Sequence, residues 1–123
     1  MKTDLSEIQH ILKSLLKKHV PPLMIKIDSE HNFGVYGRKE AMQGKQKVDG
    51  YYFASVVPKP RDIRLYFFPI YTHPDTFELS TELKGYLKGK SCFHIKKISP
   101  DLELEIAAII QSGVEIYLEN NLI

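Results

Sequence analysis

Cys92 and His94 stand two residues apart within Ser91–Ile95, a run apolar enough to form a strand. On a strand, residues two apart share a face, so one ion could touch both. A structural zinc site takes four ligands, and no second pair of soft ligands is visible. The five histidines, His10, His19, His31, His73 and His94, form no HxH or HxxxH pair. His73 precedes Pro74 at the end of an extended run. That position suits an acid–base group, and equally a histidine held in a turn by hydrogen bonds. Cys92, among apolar neighbours, reads as a buried structural thiol. Ser55 has no Gly-x-Ser-x-Gly context, and no two carboxylates are spaced to work as a pair. Gly44, Gly85 and Gly89 match no phosphate-binding loop. The pattern predicts no catalytic residue, metal or cofactor; an enzyme with an unrecognised site, built around His73, is the remaining catalytic alternative.

Lys84, Lys88, Lys90, Lys96 and Lys97 place five positive charges in residues 84–97 with no acid among them, interleaved with Tyr86, Phe93 and His94. Lysines neutralise phosphates and rings stack on bases, but a solvated face and a helix end account for the run as well. Without an RNA-binding aromatic motif, nucleic acid is not an expected partner. The sheet offers more. Alternation along Ile63–Phe68 puts Arg64, Tyr66 and Phe68 on one face, opposite Ile63, Leu65 and Phe67, and Tyr52, Ala54 and Val56 are expected beside the first set. If helices cover the second face, the first is a concave aromatic surface carrying one arginine. It would suit an apolar anion, a protein partner or a second copy of the chain in a homodimer. The candidate binding residues are therefore Tyr52, Arg64, Tyr66, His73, His94 and Lys96.

These residues need a scaffold, and the hydrophobic periodicity describes one. Leu5, Ile8, Ile11, Leu12, Leu15 and Leu16 recur at three and four, the stripe of an amphipathic helix capped by Thr3 or Asp4 and closed before Pro21-Pro22. The period then becomes two: Leu23, Ile25 and Ile27 are expected inward, against Met24, Lys26 and Asp28. Phe33, Val35 and Tyr36 predict an antiparallel partner, and residues 38–50 a loop or ragged edge hairpin. Tyr51–Val57 reads as a central strand and Ile63–Phe68 as its hairpin partner across Lys59-Pro60-Arg61-Asp62. Pro69 and Pro74 bracket a break. Ser80 opens a short helix, Thr81–Leu87, stopped by Gly89. Ser99-Pro100 starts the last helix, whose buried stripe is Leu102, Ile106, Ile109, Ile110, Gly113 and Tyr117. Gly113 is a poor helix former, which close packing against the sheet would explain. The acids Asp101, Glu103 and Glu105 near that helix's start suit its dipole. The expected fold is α+β: a two-layer sandwich, an antiparallel sheet of about five to six strands with the N- and C-terminal helices on one face.

With 123 residues, 43% of them hydrophobic and 26% charged, the chain reads as one domain over residues 1–123, large enough for its own core. Its net charge of +2 does not by itself argue for nucleic acid. One cysteine fits a reducing compartment. The opening MKTDLSEIQH lacks the apolar run of a secretory signal, and no stretch approaches the roughly 20 apolar residues that cross a bilayer. A cytoplasmic location and no membrane partner are expected.

At Tyr52-Phe53-Ala54, Leu65-Tyr66-Phe67-Phe68-Pro69, Leu87-Lys88-Gly89-Lys90 and Ser99-Pro100 the sequence resembles the bacterial YdhG-like family, a domain-of-unknown-function family. The likeness covers roughly residues 50–117; the Gly-Met-Pro stretch usual before the first aromatic strand is missing. It implies a compact α+β domain and brings no catalytic residues with it. One branch is linked to frataxin-like iron delivery, which makes an iron-handling chaperone an alternative to a binding domain. Frataxin uses an acidic helix surface, whereas the first helix here offers only Asp4 and Glu7.

Overall fold

The computed structural model describes residues 2–43 and 45–123; Gly44, named above, lies outside them. Helix α1 (Leu5–Lys17) buries Ile8, Leu12, Leu15 and Leu16, the stripe its spacing predicts. Asp4 occupies the N-cap position but its side chain makes no capping bond. Strands β1 (Met24–Asp28) and β2 (Phe33–Tyr36) pair antiparallel, joined by a turn in which the Ser29 hydroxyl accepts from the amides of His31 and Asn32. Within the stretch read as a loop or ragged edge hairpin, β3 (Ala41–Gln43) pairs antiparallel with β4 (Gln46–Val48) as a small sheet of its own. Next come β5 (Tyr52–Pro58) and β6 (Ile63–Phe67), a hairpin closed where the Lys59 amide donates to the Asp62 carbonyl at 2.9 Å.

The break between Pro69 and Pro74 is itself helical. Pro69 opens a single turn, α2 (Pro69–Thr72), and Pro74 opens a 3-10 turn (Pro74–Thr76), each proline at a position where the missing amide costs nothing. Helix α3 (Thr81–Tyr86) is capped by the Ser80 hydroxyl, which accepts from the Leu83 amide. A two-residue strand β7 (Leu87–Lys88) turns through Gly89, at φ +69°, into β8 (Cys92–Ile95). Helix α4 (Pro100–Glu119) starts at Ser99, whose hydroxyl accepts from the Leu102 amide at 3.1 Å.

The six-stranded sheet runs β1-β2-β5-β6-β8-β7 and is antiparallel throughout. One face is the core. Register brings Phe33, Val56, Leu65 and Phe93 into one row and Val35, Ala54 and Phe67 into the next, all fully buried beneath α1 and α4. Each such ring or branched chain contributes about 1.5–3 kcal/mol by leaving water. The architecture is thus an α+β sandwich with the terminal helices sharing one face. At Gly113 α4 sits tight against the sheet: a Cβ built there would meet Phe67 at 2.8 Å and Phe53 at 3.2 Å. Among the described residues, no helix is long and apolar enough to cross a membrane.

Two bulges change which side chains face the core. Between Ile25 and Ile27 the pairing with β2 slips by one, so Ile25 opposes Val35 on the core side while Ile27 opposes Gly34 on the other. Ile27, expected inward, is therefore 38% exposed. On β5, Val35 opposes Ala54 but Tyr36 opposes Tyr52, which leaves Phe53 as the extra residue. One inserted residue reverses the in–out alternation beyond it. Ala54 and Val56 consequently lie in the core, not beside Tyr66 as their spacing suggested, while Tyr52 keeps its place on the other face.

Candidate functional site

The second face of the sheet carries polar side chains and the rings of Tyr36, Tyr52 and Tyr66. Across it, Gly34, Ser55, Tyr66 and Cys92 form one row on β2, β5, β6 and β8, and Val57, Arg64 and His94 form the next. The row built on Tyr36 and Tyr52 lies beside them, their ring centroids 5.1 Å apart. Gly34 lies against both: a Cβ there would meet Tyr36 Cε1 at 3.4 Å and Ser55 Oγ at 3.5 Å, ordinary contact distances.

At the hairpin end of this face a charged cluster forms around Asp62. Its carboxylate accepts from Arg64 Nε at 3.3 Å through Oδ1 and stands 3.7 Å from His94 Nδ1 through Oδ2. Asp62 is only 7% exposed, whereas the Arg64 side chain keeps a third of its surface in solvent. A carboxylate so far from water needs such partners, because an unpaired buried charge is costly. In the middle of the face the Tyr52 hydroxyl donates to Ser55 Oγ at 2.7 Å. Burial pushes the Tyr52 phenol up to about 12, the Ser55 bond working against that rise. Burial likewise raises the Cys92 thiol, with the Tyr66 hydroxyl and the Arg64 charge pulling the other way. A thiol held protonated at neutral pH is a poor nucleophile and metal ligand. Cys92 is half-buried on this face instead of sealed in the core, because the parity of β8 sends Phe93 and Ile95 inward.

At the other end the rings run on. Tyr52 lies 5.7 Å from Phe68, and Phe68 stacks on Tyr71 at 5.4 Å with planes 24° apart. Lysines stand over both ends of this ladder, Lys26 5.0 Å from the Tyr36 ring centroid and Lys90 5.7 Å from that of Tyr71.

Of the six candidates from the sequence, the structure gathers Tyr52, Arg64, Tyr66 and His94 on one face. His73 stands apart, in the turn after α2, where Thr72 Oγ1 lies 2.8 Å from its Nδ1. Lys96 is exposed just past the end of β8. Asp62 is the member of the charged cluster that sequence reasoning passed over as part of a turn. The signal was there: it shares parity with Arg64 and Tyr66. Among the described residues, no group of three or more His, Cys, Asp or Glu side chains is arranged to hold a metal ion. On α1, Glu7 is engaged with Lys2 at 3.2 Å.

No family model, curated protein or solved structure matches the chain significantly. The site is therefore read from its own geometry.

Proposed function

We propose that this protein is a non-enzymatic binding domain and that the helix-free face of its sheet is the binding surface. The ligand is a small molecule with a flat apolar body and an acidic group. The observation that carries this reading is the company Arg64 keeps: a guanidinium one third exposed, braced by a buried carboxylate, at the edge of a face made of Tyr36, Tyr52, Tyr66 and Phe68. Arg64 meets Asp62 through Nε, which leaves its terminal nitrogens, beside the Tyr66 hydroxyl, to face a ligand's acid. Rings supply apolar area at little entropic cost, and the two hydroxyls of Tyr52 and Ser55 already satisfy one another. The resemblance of residues 50–117 to the YdhG-like family bears on the fold alone, and the iron-handling reading is what it would add as an alternative.

The test has two arms. Protein purified without denaturant is examined by native mass spectrometry against a metabolite library, and 2-naphthoate, a flat aromatic acid, is titrated while amide resonances are followed. The expected result is saturable shifts at Tyr52, Tyr66 and Cys92, weakened at least tenfold by Arg64→Ala. A bare mass across the library together with silent amides on this face would sink the reading. A dimer whose contact protects these same amides would replace the small ligand with a second copy of the chain.

A further inference from the structure

A groove of about 1120 Å³ opens beside the sheet edge at β7, away from the Asp62 cluster. Its floor is apolar: Ile70 of α2, Phe77, Leu79 and Leu87. Phe77 is anchored, its ring edge-on to the buried Phe67 at 5.4 Å. The segment leading into α3 is anchored as well. The Ser80 amide and hydroxyl donate to the two oxygens of the Glu105 carboxylate, at 2.7 and 2.6 Å. That clamp ties Ser80, a lining residue of the groove, to α4 and so fixes one part of its wall. Tyr71, half of its surface exposed and backed by Phe68, forms one wall.

The rim carries charge. Lys90 lies over the Tyr71 ring at one side and Lys84 stands on α3, with Glu78 the acid among the lining residues. The rim is net cationic over an aliphatic and aromatic floor. Sites for drug-sized ligands have such floors, a few polar groups at one margin, and volumes of roughly 300–1,000 Å³. Lys90 held above a ring is positioned before any ligand arrives, which lowers the ordering cost of binding.

We infer that this groove is a second binding site, for an amphipathic anion: an acyl or similarly apolar body seated on Ile70, Phe77, Leu79 and Leu87, with its carboxylate or phosphate held between Lys84 and Lys90. The lysines decide the sign of the head group, and the absence of a buried polar partner on the floor decides that the body is apolar. The site shares no charged residue with the Asp62 cluster, so the two readings stand or fall separately.

Sodium decanoate, decanol and decyltrimethylammonium, each titrated at submillimolar to low millimolar concentration, separate the contributions while methyl resonances are followed. Decanoate is expected to shift the methyls of Ile70, Leu79 and Leu87 saturably, at least fivefold more tightly than decanol, with decyltrimethylammonium weaker still. Lys84→Gln combined with Lys90→Gln changes two exposed side chains and should bring decanoate down to the decanol level. Glu105→Gln, which weakens the clamp without touching the ligand, should weaken decanoate and decanol alike. Equal affinity for all three probes would overturn the assignment. So would shifts confined to the sheet-face methyls of Ile27 and Val57, or a double variant that binds decanoate as the parent does. Sedimentation with anionic phospholipid vesicles, lost in the same double variant, would place the anion on a lipid head group; decanoate binding without sedimentation identifies a free ligand.

Discussion

Consider Gly113→Ala. Alanine is the best helix former and glycine among the worst, so at an unconstrained helical site this change gains about 1 kcal/mol. Here the added methyl would stand 2.8 Å from Phe67 Cζ, 3.0 Å from Pro69 Cγ and 3.2 Å from Phe53 Cε1. Against ordinary contact at 3.4 Å, the worst of these is short by about 0.6 Å. Neither ring has a free direction: Phe53 meets Phe67 edge-on at 5.6 Å and Tyr117 edge-on at 5.2 Å, and all three are fully buried. Overpacking of such a core costs about 1–3 kcal/mol, and three simultaneous overlaps place this one at the upper end. The net is a destabilisation of about 2 kcal/mol. With an unfolding entropy near 2.1 cal/mol/K per residue, that lowers Tm by about 8 °C. Gly85 supplies the control, because nothing lies within 4 Å of a Cβ built there in α3. Gly85→Ala should raise stability by about 0.5 kcal/mol, the same chemistry with the opposite sign. Thermal melts by circular dichroism and denaturant midpoints read both variants. A Gly113→Ala protein that melts with or above the parent would refute the argument that α4 is seated on the sheet through this glycine.

Two further outcomes follow from titrating groups. Burial, aided by the Lys18 charge, lowers the pKa of His19 below its ordinary 6.5. The unfolded chain then binds that proton more readily, so stability is full above pH 6.5 and declines as pH falls through the folded value. His19→Gln should flatten this part of the stability–pH curve measured by urea midpoints; an unchanged slope would dismiss the assignment. Cys92, raised by burial, should react with iodoacetamide in the native protein with a pH midpoint above that of the urea-unfolded chain. Equal midpoints would mean that the face is wetter than its geometry implies.

Much of the scaffold was legible because local chemistry and global packing agree. Ser80 and Ser99 cap the helices they were expected to cap, and the stripes of α1 and α4 face inward. The hairpin across Pro60 and Arg61 closes where its turn residues place it. What failed was the assumption of unbroken alternation. A bulge leaves no mark in composition, since it depends on which residue of the neighbouring strand is opposite; Ile27, Ala54 and Val56 were misplaced for that one reason. Asp62 was missed differently. Its partner His94 is distant in sequence, and only the β6–β8 pairing brings the imidazole to the carboxylate. The groove at β7 was out of reach altogether, because its floor draws on α2, β7 and the segment leading into α3, and its wall is fixed from α4.

The choice of variants that can tell the two surfaces apart follows from how they are joined. Phe68 leaves β6 and its ring touches Tyr52 on the sheet face and Tyr71 at the groove. Removing it would take a ring from the sheet face and leave the Tyr71 wall of the groove unbacked, so Phe68→Ala must weaken both ligands and discriminates nothing. Tyr71 is compromised in the same way, since its ring is the far end of that ladder. Charge is what the surfaces do not share. Arg64 and its buried Asp62 brace belong to one side and Lys84 and Lys90 to the other, although Lys90 lies over Tyr71 at the far end of the shared ladder. A protein with Arg64→Ala that still takes decanoate, and one with Lys84→Gln and Lys90→Gln that still takes 2-naphthoate, would establish two independent sites on one scaffold. Loss of both ligands in either variant would instead mean that the aromatic ladder is a single continuous surface, read from two ends.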